Sequence, residues 1–169
     1  MTVTDVQGPD LHSLRGKLLP PVELESTSGQ PLDLAAHTNI VIYLYPGAAG
    51  IIRGDETPLL DAVQHRAFRD HLDDFAACGF TVVGMSSQST HKQRHTAQFN
   101  KLLHELVSDP TFRVAEALNL PTLRIGAVRV YERLTLLVKA GRVDLALDPR
   151  PTLERHPAYL AQLLRHLQR

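Results

Sequence analysis

The chain has 169 residues, 43% apolar and 21% charged, with 18 Lys/Arg balanced by 18 Asp/Glu. That is the size and composition of one globular domain, too well balanced in charge to indicate a polyanion-binding surface. No apolar run approaches a membrane span, and the single cysteine, Cys78, excludes an internal disulfide and a cysteine-rich metal site. The segment Met1 to Asp10 is polar, with no basic region leading into an apolar stretch, so the expectation is no secretory leader and a cytoplasmic location.

In chain order, residues 1–14 read as a flexible arm and 15–169 as the domain. Val22 to Glu25, the turn Thr27-Ser28-Gly29 and Leu32 to Leu34 predict a small hairpin. Asn39 to Tyr45 (NIVIYLY) is β-branched and aromatic almost throughout, the pattern of a central strand covered on both faces. The loop from Gly47 to Glu56 leads into Thr57-Pro58, read as N-cap and first helical residue. Apolar residues then recur at helical spacing from Leu59 to Phe75, and Gly79 reads as the C-cap.

Phe80 to Met85 predicts a second central strand, and Lys92 to Leu106 a helix. A short strand at Leu106-Val107 and a short helix over Phe112 to Leu118 follow. Val128 to Val138 reads as one extended segment, turning at Ala140-Gly141-Arg142 to pair with Val143 to Leu147. Pro157 to Leu167 is the last helix. Alternating strands and helices imply a partly parallel sheet covered on both faces, with ligand sites beyond the carboxyl ends of its central strands. That directs attention to the segment after Tyr45.

Several segments match a known family in order. They are Leu18-Leu19-Pro20 before the first hairpin, Tyr43-Leu44-Tyr45-Pro46, Gln64 with Ala67-Phe68-Arg69-Asp70, and Val83 to Gln88. Leu106 to Asp109 with Ala115 to Leu120, Arg133 to Leu136, and Gly141-Arg142-Val143 complete the set. Together they resemble the peroxiredoxins, nearest the Q-type (bacterioferritin-comigratory) branch, from about Leu18 to the end of the chain. The resemblance implies a thioredoxin-like α/β fold of the peroxiredoxin subtype: a central mixed sheet, helices on both faces and an N-terminal hairpin.

The departures carry as much weight. Aligning Gln64 and Phe68-Arg69-Asp70 with the family's helix motif puts Asp61 at the peroxidatic cysteine and Arg66 at the resolving cysteine of many Q-type members. Family members reduce hydroperoxides by thiolate attack, and a carboxylate lacks the sulfur oxidation states for that cycle. The loop from Pro46 to Asp61 is longer than the family's, and Thr57 stands four residues before Asp61 rather than three.

The resemblance also places Arg133 at the family's active-site arginine, predicting an Asp61–Arg133 salt bridge across the vacated pocket. Asp61 in the first turns of a helix is favoured by the positive helix end. His65, four residues on, shares its helix face, so Asp61, Arg133 and His65 are candidate catalytic residues of an acid–base constellation. The simpler reading is that Asp61–Arg133 fills and neutralises the site, leaving His65 at the surface. Tyr45, Pro46, Glu56 and Thr57 are the candidate binding residues. Cys78, at a helix C-terminus, is poorly placed for a nucleophile. His91 and His95 are spaced to share a helix face, with His104 a remote third donor, but no carboxylate or cysteine completes a metal set.

Three functions stay open. The first is a family member without thiol peroxidase activity that acts as a binding, regulatory or accessory protein. The second is a repurposed enzyme doing acid–base chemistry on a small polar substrate, for example in a biosynthetic pathway. The third is a residual one-cysteine peroxidase using Cys78. The expected partner is a small polar or anionic molecule, with no cofactor, metal, nucleic acid or membrane, and the chain a monomer or homodimer.

Overall fold

The computed structural model describes residues 10–52 and 54–169; most of the expected flexible arm, residues 1–9, lies outside them. Of the arm, Leu11–Leu14 forms a single 3-10 turn capped by the Asp10 carboxylate, and Leu14 is fully buried in the core. A leucine anchored that way holds this part of the chain against the domain.

In chain order the strands and helices are β1 (Glu23–Ser26), β2 (Leu32–Asp33), β3 (Asn39–Leu44), β4 (Ile51–Ile52), β5 (Asp55–Glu56), α1 (Thr57–Arg69) and α2 (Leu72–Ala77). Then come β6 (Thr81–Ser86), α3 (Thr90–Phe99), β7 (Glu105–Ser108), α4 (Arg113–Leu118), β8 (Thr122–Ile125) and β9 (Val128–Tyr131). The chain closes with β10 (Leu134–Lys139), β11 (Arg142–Leu147) and α5 (His156–Leu167). Seven strands form the main sheet in the order β11-β10-β3-β6-β7-β1-β2. Its centre, β3-β6-β7, is parallel; β10 and β1 flank it antiparallel.

The continuous apolarity of β3 has the expected cause. Alternate side chains point to opposite faces of a strand. Ile40, Ile42 and Leu44 enter a core with Val83, Met85, Leu136 and Val138. Val41, Tyr43 and Tyr45 enter another with Phe68, Phe75, Leu160 and Leu164. The second core carries the site, because it joins the Tyr43 face of the sheet to α1, α2 and α5.

Four local expectations are corrected. The predicted helix from Leu59 to Phe75 is two helices: the ring nitrogen Nδ1 of His71 bonds the Ala67 carbonyl at 2.9 Å, taking up a carbonyl at the end of α1. Thr57 is the first helical residue rather than the cap; Glu56 takes the cap position without a side-chain bond. The helix expected over Lys92 to Leu106 begins earlier, at Thr90 after the Ser89 cap, and stops at Phe99. Lys101 there turns to φ 53°, and Glu105 and Leu106 join the sheet in β7. The extended run Val128 to Val138 breaks at Glu132-Arg133. β9 pairs with β8 in a separate hairpin, and β10 enters the main sheet. The break places Arg133 over the amino end of α1.

Candidate functional site

The predicted ion pair is present. Arg133 Nη1 stands 2.6 Å from Asp61 Oδ1, with the two residues 9% and 7% exposed. The same nitrogen donates to Gln64 Oε1 at 2.8 Å, and Nη2 to the Thr57 carbonyl at 3.4 Å. Gln64 is itself fixed, its amide donating to the Leu44 carbonyl at the end of β3. Across the pair, the Gly47 N–H donates to Asp61 Oδ2 at 3.1 Å. Gly47 turns that N–H inward at φ +63°, and a side chain there is excluded because its Cβ would meet Gln88 at 2.5 Å. Burial pushes the Asp61 carboxyl up to about 6, against the opposing pull of Arg133 and the Gly47 N–H.

The pair is a partition. On one side, Arg133, Pro46 and Thr57 line a hollow of about 190 Å³ with Ile52, Asp55 and Leu123. On the other, Asp61, Tyr45, Gly47 and His65 line a larger cleft of about 600 Å³ between α1 and α3. The cleft is walled by Ala48, Ala49, Pro58 and Ala62 and rimmed by Lys92, His95, Thr96, Phe99 and Asn100. Pro46 and Thr57 therefore share the arginine side, and Tyr45 shares the aspartate side. Glu56 is solvent-exposed in the β4–β5 hairpin and lines neither space, so its expected binding role is not supported.

His65 departs from both expectations. It is fully buried rather than at the surface, and its bonding partner is not Asp61. His65 Nδ1 lies 2.8 Å from the Tyr43 hydroxyl, and His104 Nε2 lies 2.7 Å from the same oxygen. Burial holds His65 down at about 3 and His104 at about 4, so both imidazoles are neutral at pH 7. Tyr43 stacks on Phe68 with ring centroids 4.3 Å apart and planes 7° from parallel.

Tyr43 and Gln64 enter the sequence reading only as motif residues, and His104 only as a remote third metal donor. The usable signal was Gly84, directly opposite Tyr43 in the β3–β6 register. A Cβ at Gly84 would lie 2.7 Å from the Tyr43 ring and 2.6 Å from Leu106, so the strand glycine makes room for a phenol.

The remaining candidates separate. Arg66, at the family's resolving position, donates to Asn100 Oδ1 at 3.1 Å and tethers α1 to the end of α3. Cys78 caps α2 in the core beside Phe75, Phe80 and Val82 and lines neither space. The His91 and His95 rings meet edge to face at 4.9 Å, whereas His104 is bonded to Tyr43. Among the described residues no group of three His, Cys, Asp or Glu is placed to hold a metal. Nor, among them, is any helix long and apolar enough to cross a membrane.

Residues 16–144 match the AhpC/TSA family. The chain is 30% identical to chloroplastic peroxiredoxin Q of Sedum lineare over 156 residues, covering 91% of this chain and 79% of that protein. It is 25% identical to peroxiredoxin Bcp of Escherichia coli K12, covering 89% and 96%. Among solved structures, peroxidoxin BcpB of Mycobacterium tuberculosis superposes with a TM-score of 0.73 at 21% identity, covering 90% and 96% of the two chains. A cysteine mutant of Xylella fastidiosa PrxQ superposes with a TM-score of 0.74 at 20% identity, covering 92% and 97%. The chain belongs to the AhpC/TSA (peroxiredoxin) family, with a thioredoxin-like peroxiredoxin fold whose one cysteine lies away from the Asp61–Arg133 site.

Proposed function

We propose that this protein is a peroxiredoxin-family member without thiol peroxidase activity that binds a small anionic molecule in the cleft between α1 and α3. The observation that carries this reading is the buried Asp61–Arg133 pair. Asp61 stands where the resemblance places the attacking thiol, and its ion pair with the arginine fills that site. The paired carboxylate adds little net charge to the cleft. Lys92 on the rim has no acidic partner among the described residues, so the lining is biased towards an anion. Tyr45 and Phe99, the latter 76% exposed, supply apolar surface beside it.

Two measurements test this. Consumption of hydrogen peroxide and cumene hydroperoxide with dithiothreitol is expected at the background rate, for the parent and for Cys78→Ser alike. Thiol-dependent turnover abolished by Cys78→Ser would establish the one-cysteine peroxidase instead. Acetate and benzoate, followed by amide NMR shifts, are expected to perturb residues of α1 and α3, and Lys92→Ala to weaken that binding several-fold. Absence of any perturbation would remove the cleft as a binding site.

The second reading, an acid–base enzyme, is favoured by one observation: a neutral imidazole, His65, at the floor of the same cleft as Asp61.

A further inference from the structure

The three-residue cluster behind the cleft has a property that neither the peroxiredoxin fold nor the ion pair requires. Tyr43 oxygen is bonded on both sides by imidazole nitrogens, His65 Nδ1 at 2.8 Å and His104 Nε2 at 2.7 Å. The two rings are placed alike about the phenol, with centroids 5.6 Å away and planes at 66° in each case. The outer nitrogens, His65 Nε2 and His104 Nδ1, are buried and have no partner among the described residues. His65 lines the cleft, and His104 lines a separate hollow of about 350 Å³ with Thr27, Leu102 and Glu105. The cluster therefore runs through the interior from a wall residue of one concave surface to a wall residue of the other, with both end nitrogens covered.

We propose that His65, Tyr43 and His104 form a proton relay between these two surfaces, with His65 Nε2 as the end that meets a carboxylate ligand once the cleft wall covering it moves aside. A phenol has one proton to donate. If it goes to His65 Nδ1, then His104 must donate from Nε2, and both histidines are Nε2–H tautomers. If it goes to His104 Nε2, then His65 must donate from Nδ1, and both are Nδ1–H tautomers. The states interconvert with protons conserved. Water reaching His104 from its hollow gives one proton to Nδ1, the Nε2 proton of His104 passes to Tyr43, the Tyr43 proton passes to His65 Nδ1, and water on the cleft side takes one from His65 Nε2. The rings remain neutral before and after, which suits a buried site. A carboxylate at His65 Nε2 accepts only, so it selects the Nε2–H state at both ends. Gly84 keeps the phenol in place, since any larger residue would push it off the strand.

The carboxylate clause rests on the cleft reading above; the relay is read from the free protein. The test is long-range proton–nitrogen correlation of the histidine rings in the full chain at pH 7.5. Matched tautomers at His65 and His104 are expected, with acetate moving both towards Nε2–H. In Tyr43→Phe, acetate is expected to move His65 alone. Opposite tautomers in the parent, or an acetate response at His104 that survives Tyr43→Phe, overturns the relay. The parent measurement decides this even if the variant does not fold. Matched tautomers indifferent to acetate uphold the relay and overturn the carboxylate clause.

Discussion

Helix α1 buries two ionisable groups one turn apart, Asp61 and His65, and they are handled in opposite ways. At Asp61 the charge is matched: Arg133 pairs with the carboxylate, Gly47 donates to it, and Gln64 and Thr57 accept from the arginine. At His65 the shell is open-ended, a neutral chain through Tyr43 to His104 with an unpartnered nitrogen at each end. The difference follows from charge. A buried ion without a partner costs several kcal/mol, about twice or more the cost of a neutral donor or acceptor left unmade. Charge pairing is therefore required around Asp61–Arg133 and not around His65, whose outer nitrogen keeps unused hydrogen-bonding capacity.

The sharpest way to break the charge-matched shell is Arg133→Met, which strands the Asp61 carboxylate and takes the donor from Gln64 Oε1. A loss of about 3–5 kcal/mol is expected from urea unfolding. The double replacement Arg133→Met with Asp61→Leu is expected to recover most of it, because no charge is then left buried alone.

Acid is the next largest lever, and it acts on Asp61 and on the buried histidines with opposite sign. His65, His104 and His156 have folded values near 3, 4 and 4, below the ordinary 6.5. As pH falls through that window the unfolded chain binds protons that the folded chain refuses, so stability drops. Asp61, raised to about 6, holds a proton in the folded state between 3.8 and 6 and so contributes less stability as pH rises. Three groups oppose one, and the chain is expected to lose stability on going from pH 6.5 to 4. Asp61→Asn is expected to steepen that loss by about 3 kcal/mol, read from unfolding midpoints across pH.

Gly84→Ala probes the open chain through packing. Its methyl meets Tyr43 and Leu106 well inside contact distance, and a cost of about 1–3 kcal/mol is expected. Displacing the phenol should also disturb the His65 and His104 ring resonances together. The smallest effect is expected from Cys78→Ala, which removes one sulfur from a mixed aromatic and aliphatic core. About 1 kcal/mol is lost, with no change in the acetate response.

The parts of this molecule legible in sequence are those set by neighbours along the chain. The β-branched run of β3, the helical spacing after Thr57 and the closing hairpin place the sheet and its helices. Motif order alone placed Asp61 opposite Arg133, 72 positions apart in sequence. Legibility failed where a local pattern met a non-local partner. The run Val128 to Val138 alternates as one strand would, but pairing with β8 on one side of Arg133 and β3 on the other splits it. His65 has the spacing of a surface neighbour of Asp61, yet it is claimed by a tyrosine 22 residues earlier.

By itself, then, the sequence determined the family, the order of the elements, the absence of a disulfide and the replacement of the attacking thiol by a carboxylate. The element order and the absent disulfide follow from short-range periodicity and the single cysteine; the family and the carboxylate at the thiol position are what the resemblance of its ordered motifs implies. Only the tertiary structure decided that the Asp61–Arg133 pair is a wall between two spaces, and that a histidine, a tyrosine and a second histidine line up behind it. A hydrogen bond depends on distance and direction in space, and neither is written in the separation between residues along the chain.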